Sequence, residues 1–338
     1  MSKRIEFFDL LRVVAAVVVV AIHVLGPYRH QFSSLPFDQW SFAVGLNSVI
    51  RWAVPVFLLI TGALMLSDRR PFQFGYYLKR RVAKVVIPFV VWSIFYAFFA
   101  SFTPQGQFNP AVVEHILANI SEHAAYYHLG FFYYFIPLYL LAPFFKAAIE
   151  RWGDEVAYGY VFIWLVTTAL YLAHIDGPWS QQMWLYSGYL PLGYLLLNRM
   201  PNSSNWVLGV TAVGTLSLVT TAYMVIDQSV IEQQYTIGRW LSYKTLNVVL
   251  AASMVFVLGR WVCESLPPSS KQSVAFISRH SLGIYLAHPI VLWPMKQLGW
   301  YQGNTWLLIP LWTVIGFVGA LAISYLLSKT RVTAWLVP

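Results

Sequence analysis

Long apolar runs separated by short polar segments dominate this chain. A helix rises 1.5 Å per residue, so about 20 apolar residues are needed to cross the hydrocarbon core of a bilayer. Runs that meet or approach this length lie near 7–27, 44–66, 80–102, 129–149, 156–174, 183–199, 206–226, 244–263, 280–297 and 306–328. The pattern predicts an all-α, polytopic membrane bundle of about ten transmembrane helices. The sixth run is short and holds Gly188, Pro191 and Gly193, and the ninth holds Pro289 and Pro294. Proline inside a membrane helix removes a backbone hydrogen bond, which is tolerated where a neighbour or a cavity satisfies the freed group. Both runs are therefore expected to be broken or kinked. Between the runs, residues 110–123 form a candidate surface helix within the longest loop. The segment 264–278, with Pro267-Pro268-Ser269-Ser270, reads as a plain linker.

Ten crossings put both termini on one side. Seventeen of the 22 Lys and Arg residues then fall on that side, and five (Arg29, Arg51, Arg239, Lys244 and Lys296) fall on the other. Basic residues concentrate on the cytoplasmic side of membrane proteins, so both termini are expected in the cytoplasm. The opening Met1-Ser2-Lys3-Arg4 has the charge of a signal-peptide start. However, Asp9 and Arg12 interrupt the apolar run, and no small-residue cleavage site follows. The run is read as a retained first helix.

Composition agrees with a lipid-facing chain. Of 338 residues, 58% are hydrophobic and only 10% charged, against roughly 25% charged in soluble domains. No hydrophilic block divides the sequence, which reads as one membrane domain over 1–338. The net charge of +9 would suggest a nucleic-acid partner in a soluble protein. Here the cations cluster at helix ends, so membrane lipids are the expected partners and nucleic acid is not. A single cysteine, Cys263, excludes an intrachain disulfide and a thiol metal cluster.

Candidate chemistry concentrates in the first helix. Ionisable residues inside a membrane helix are costly and usually functional. Arg12 and His23 are eleven residues apart, which at 3.6 residues per turn puts them on one face, about 16 Å apart along the axis. Asp9 stands three residues before Arg12, within ion-pair reach. A cation near the cytoplasmic end and a deeper imidazole suit a long anionic cofactor, with phosphates at the arginine and the reactive end at the histidine. Imidazole is also the side chain best matched to general-base work near neutral pH. The alternative is structural: an interfacial Asp9–Arg12 pair, and a His23 that bonds a neighbouring helix.

With Arg12 and His23 in the first helix, the chain resembles the acyltransferase-3 family of membrane acyltransferases. The likeness continues at Val54–Leu64, with Thr61-Gly62 where the family has a Ser-Gly pair. It runs on through Arg81-Val82-Ala83-Lys84, a version of an Arg-x-x-Arg pattern with Arg80 adjacent. Tyr127-His128-Leu129-Gly130-Phe131-Phe132 is similar to a segment that usually has Trp where Gly130 stands. Ser278–Pro289 is similar to a late-helix signature. Within the family, the chain is most similar to the short form that O-acetylates enterobacterial common antigen.

The resemblance implies transfer of an acyl group, most often acetyl, from cytoplasmic acyl-CoA to a sugar hydroxyl. The acceptor would be an envelope polysaccharide or its lipid-linked precursor, and the enzyme would sit in the bacterial inner membrane. His23 is then the expected general base or acyl carrier, with Asp9 orienting Arg12 or a water near the cofactor, and His288 orienting His23 or contacting the acceptor. Arg12, Arg80, Arg81, Lys84 and Arg279 are expected at the CoA phosphates. Glu122, His128 and Tyr285 are expected at the acceptor, and Tyr285, His280 or backbone groups at broken helices at the thioester oxyanion. For Arg80, Arg81 and Lys84 the alternative is plain positive-inside anchoring. His115, Glu122, His123 and His128 lack metal-ligand spacing, and no metal is expected. Two other functions fit a polar stripe less well. One is a glycan or polar-solute transporter with Arg12 and His23 as coupling residues, and the other is a non-catalytic scaffold of a polysaccharide synthesis complex.

Overall fold

The computed structural model describes residues 6–122 and 124–338. Lys3, Arg4 and His123 lie outside the described residues. In chain order the main helices are α1 (Glu6–Val24), α2 (Phe37–Leu66), α3 (Phe74–Phe99), α4 (Pro110–Ala118), α5 (Leu129–Trp152), α6 (Asp154–Leu172), α7 (Gln182–Ser187), α8 (Tyr189–Asn198), α9 (Ser204–Ile231), α10 (Leu246–Glu264), α11 (Pro268–Arg279), α12 (Ser281–Gln297) and α13 (Thr305–Ser328). Among the described residues the architecture is all-α. The one extended pairing is an isolated bridge between Phe102 and Phe108. Eight of these helices are long and apolar enough to cross a bilayer: α1, α2, α3, α5, α6, α9, α10 and α13. The chain is a polytopic helical membrane protein.

The two remaining expected crossings are the short, glycine- and proline-bearing ones. The sixth is broken at Gly188 into α7 and α8. A Cβ at Gly188 would lie 2.0 Å from the Trp164 ring, so the glycine lets α6 pack against the break. Beyond it, α8 lies backbone to backbone against α2. A Cβ at Gly62 would be 2.1 Å from the Leu190 carbonyl oxygen, and one at Gly193 would be 2.1 Å from that of Leu59. Further along, Asn198 Nδ2 donates to Ser67 Oγ at 2.7 Å. The two glycine contacts centre on one crossing point, and Ser67 and Asn198 both lie further along their helices, so α8 runs parallel to α2. Parallel neighbours require an odd number of crossings between them, and α3, α5 and α6 supply three. The ninth crossing, α12, has 17 residues, about 26 Å of rise. It lies antiparallel along α13, with Ser324 facing Gly283, Gly319 facing Val291 and Gly316 facing Leu292.

Helix α1 sits inside the bundle. Leu11 packs on Gly259 of α10, and Val20 on Gly316 of α13. The Phe7 and Phe8 rings stand 5.5 and 6.0 Å from Phe256. Glycine on the partner helices lets the apolar α1 backbone approach closely, as membrane packing favours.

One expectation is corrected. The presumed linker 264–278 is largely helical, as α11. Pro268 occupies its first turn, where a missing N–H costs nothing. Lys271 Nζ pairs with Glu6 Oε2 at 2.9 Å, and Ser278 Oγ donates to Asp9 Oδ1 at 2.7 Å. Phe276 packs on Tyr325, near the end of α13, at 5.8 Å. Thus α11 ties the start of α1 and the end of α13 together at one end of the bundle. Its polar composition hid it from a search for apolar runs. The surface helix expected near 110–123 is present as α4, with Asn109 Oδ1 capping the Ala111 N–H at 3.1 Å.

Candidate active site

Helix α1 carries the stripe as its spacing requires. Asp9 is 5% exposed, and a carboxylate so buried needs partners. It has them in Ser278 and in Arg12, whose Nη1 lies 3.5 Å from Asp9 Oδ1. The Arg12 side chain is only half-buried and lines a cavity of about 210 Å³. That cavity also takes in Arg81, Thr61, Tyr139, Ser281 and Tyr285 among mostly apolar walls. Toward the basic end it adjoins a second cavity of about 300 Å³, which shares Met65 and Arg81 and adds Asp68, Arg70, Tyr76 and Lys146. The Arg70 guanidinium holds the Asp68 carboxyl down at about 2. The pair is therefore charged throughout the neutral range and braces the loop that forms the cavity wall.

His23 occupies the last turn of α1. It lines a further cavity of about 200 Å³ together with Tyr127, His128, Gly130, Tyr134, Tyr186, Tyr243 and Tyr285. Val54, Phe131 and Tyr285 line both this cavity and the one at Arg12. These three side chains form the partition between the two spaces. The Tyr285 hydroxyl donates to the His128 carbonyl oxygen, which anchors the partition to the segment before α5.

Two further imidazoles stand behind His23. The His23 ring is stacked on His288, with centroids 4.9 Å apart and planes inclined at 22°. The His128 ring meets His288 edge-on at 5.3 Å. Pro289 explains the orientation of His288. It lacks the N–H that would donate to the Tyr285 carbonyl one turn earlier, and His288 Nδ1 lies 2.7 Å from that oxygen instead. A carbonyl only accepts, so Nδ1 carries the proton and Nε2 keeps a lone pair. That Nε2 is buried with no hydrogen-bond partner among the described residues.

The structure thus brings together Arg12 and Arg81 at one cavity, with Asp9 paired to Arg12, and His23 and His128 at the next, with His288 stacked on His23 and Tyr285 between the two cavities. Arg80, Lys84 and Arg279 are exposed and do not line these cavities. Glu122 is exposed in the turn after α4, away from the His23 cavity. His280 Nδ1 lies 3.1 Å from Ser324 Oγ, on the α13 side rather than at either cavity. Among the described residues, no group of three His, Cys, Asp or Glu is placed to hold a metal ion. Sequence reasoning missed the tyrosine walls at Tyr127, Tyr134, Tyr186 and Tyr243. It also missed Lys296, whose Nζ lies 3.8 Å from the Tyr127 ring centroid. The available signal was a lysine on the side of the membrane where cations are rare.

A family model described as an acyltransferase domain, that of the acyltransferase-3 family, matches residues 5–329. Curated relatives include proteins of Staphylococcus aureus strains MSSA476 and MW2, each described as a probable poly-beta-1,6-N-acetyl-D-glucosamine export protein. Each is 19% identical over 302 residues, covering 86% of this chain and 82% of the relative. No solved structure matches. A family match over nearly the whole length, on a bundle whose first helix lines two adjoining cavities, identifies the chain as a member of the acyltransferase-3 family of membrane acyltransferases.

Proposed function

We propose that this protein transfers an acetyl group from cytoplasmic acetyl-CoA to a hydroxyl of an envelope glycan or its lipid-linked precursor, within the bacterial cytoplasmic (inner) membrane. The observation that carries the reading is the pair of adjoining cavities along α1, one at Arg12 and one at His23, with a common wall at Val54, Phe131 and Tyr285. Likeness to the short form of the family suggests enterobacterial common antigen as the acceptor. The relatives' description also supports a glycan context.

The residues present fit an acyl-CoA donor. Guanidinium groups pair with phosphate oxygens through strong charge-assisted hydrogen bonds, and Arg12 and Arg81 line the same cavity. Its apolar walls suit the uncharged arm that carries the thioester past Tyr285. His23 then takes the proton of the acceptor hydroxyl. The hydroxyl oxygen attacks the thioester carbonyl carbon, the carbon–sulfur bond breaks, and CoA leaves as the thiolate, which takes up a proton. His288 presses its ring on His23 and limits its orientation.

Arg12→Ala is expected to weaken acetyl-CoA binding by roughly tenfold or more, the worth of a lost charged hydrogen bond. Calorimetry on protein in nanodiscs measures this, and unchanged affinity would remove Arg12 from the donor site. The relatives' description favours a second reading, passage of a glycan through the bundle. Purified protein supplied with acetyl-CoA and membrane glycans discriminates the two. Release of free CoA thiol with a matching mass gain on the glycan supports transfer, and glycan movement without either supports passage.

A further inference from the structure

On the outward side of the His23 cavity, cations with no carboxylate partner among the described residues stand on its tyrosine walls. Two of the tyrosines that line the cavity, Tyr127 and Tyr243, each carry a cation on the ring. Lys296 Nζ lies 3.8 Å from the Tyr127 centroid, and Arg51 Cζ lies 4.9 Å from that of Tyr243. The Tyr127 ring is itself 4.8 Å from the His23 ring, so one aromatic ring separates Lys296 from the proposed base. Arg29 follows α1 by a single helical turn, Gly26–Arg29. Its Nε is buried with no hydrogen-bond partner among the described residues.

All three cations are half-buried, and among the described residues none of them forms an ion pair. Arg239, at the same end of the bundle, shows the ordinary arrangement: its guanidinium grips Asp176 at 2.6 Å. Like charges drawn together at low dielectric repel, and cations on this side already run against the positive-inside bias. Two of the five outward basic residues nevertheless stand on the tyrosine walls of this one cavity, and Arg29 lies one helical turn beyond α1. A negatively charged ligand would relieve the repulsion, and the cavity already has the aromatic walls on which sugar rings stack.

We infer that the acceptor is an anionic glycan, with a carboxylate or phosphate held by Lys296, Arg51 and Arg29 while a neighbouring hydroxyl faces His23. This rests on the acyl-transfer reading and specifies its substrate class. Membranes with and without the protein are incubated with [14C]acetyl-CoA and, separately, with [14C]succinyl-CoA. Labelled glycan is then passed over an anion exchanger. The acetyl-labelled product is expected to be retained. Loss of retention after mild acid assigns the charge to a lipid-linked diphosphate, and loss after carbodiimide reduction assigns it to a sugar carboxylate.

In the Lys296→Met, Arg51→Gln double variant, the acceptor KM is expected to rise at least tenfold, with acetyl-CoA affinity unchanged. An acetylated glycan that passes unretained overturns the inference, and that arm needs no variant to fold. Unchanged acceptor KM in a double variant that still binds acetyl-CoA also overturns it. Label from succinyl-CoA alone would put the negative charge on the acyl group and overturn the acceptor assignment. No protein-dependent label from either donor sinks acyl transfer itself, and this inference with it.

Discussion

His23→Ala is expected to abolish acceptor-dependent acetyl transfer while leaving the bundle folded. General-base catalysis contributes typically 10²–10⁴-fold, and no second imidazole can take over at the same point. His128 and His288 are almost fully buried, whereas His23 is half-buried at the cavity. Stability should change little, because the contacts of His23 with its neighbours are ring contacts to His288 and Tyr127. Truncation enlarges an existing cavity rather than stranding a buried partner. Radiolabel transfer, acetyl-CoA affinity and thermal unfolding measured on one preparation separate these effects. Acceptor-dependent transfer at the wild-type rate would end the base assignment.

Gly62→Ala should strongly destabilise this protein. The new Cβ would lie 2.1 Å from the Leu190 carbonyl oxygen, far inside any contact distance. The obstacle is backbone on a packed helix, so no side chain can swing aside. Overpacking typically costs about 1–3 kcal/mol and sometimes more, and this site belongs at the upper end. Function should suffer as well, because Ile60 and Thr61 line the Arg12 cavity, and a displaced α2 opens that wall. Gly193→Ala probes the same contact from the other helix and should melt early too. Gly209→Ala, on a face of α9 where an added Cβ meets nothing within 4 Å, serves as the control. A Gly62→Ala protein that melts with the control would show that α2 and α8 do not touch as described.

Both expectations draw on features that differ in how visible they are in the chain. Arg12 and His23 were legible because helical period alone puts them on one face, whatever surrounds the helix. Eight crossings were legible because a long apolar run has few alternatives to spanning lipid. The broken sixth and the short ninth crossings were foreseen as irregular. Only packing explains them: Gly188 makes room for Trp164, and Pro289 frees the Tyr285 carbonyl that His288 then takes.

By itself the sequence determined the all-α membrane class, the spans, the bias of basic residues to one side and the stripe on α1. Those follow from local properties, namely hydropathy, charge and a period of 3.6. The tertiary structure decided which charges count. Arg81 reaches the Arg12 cavity while its neighbours Arg80 and Lys84 stay exposed, a matter of how the π-helical turn Leu78–Val82 rotates into the rest of α3. It also decided that α11 seals the basic end, that His23 meets His128 and His288, and that Lys296 and Arg51 ride on the tyrosines of the same cavity. Period and composition specify a face but not its partner across the bundle, because that choice depends on glycine and proline contacts between helices distant in the chain.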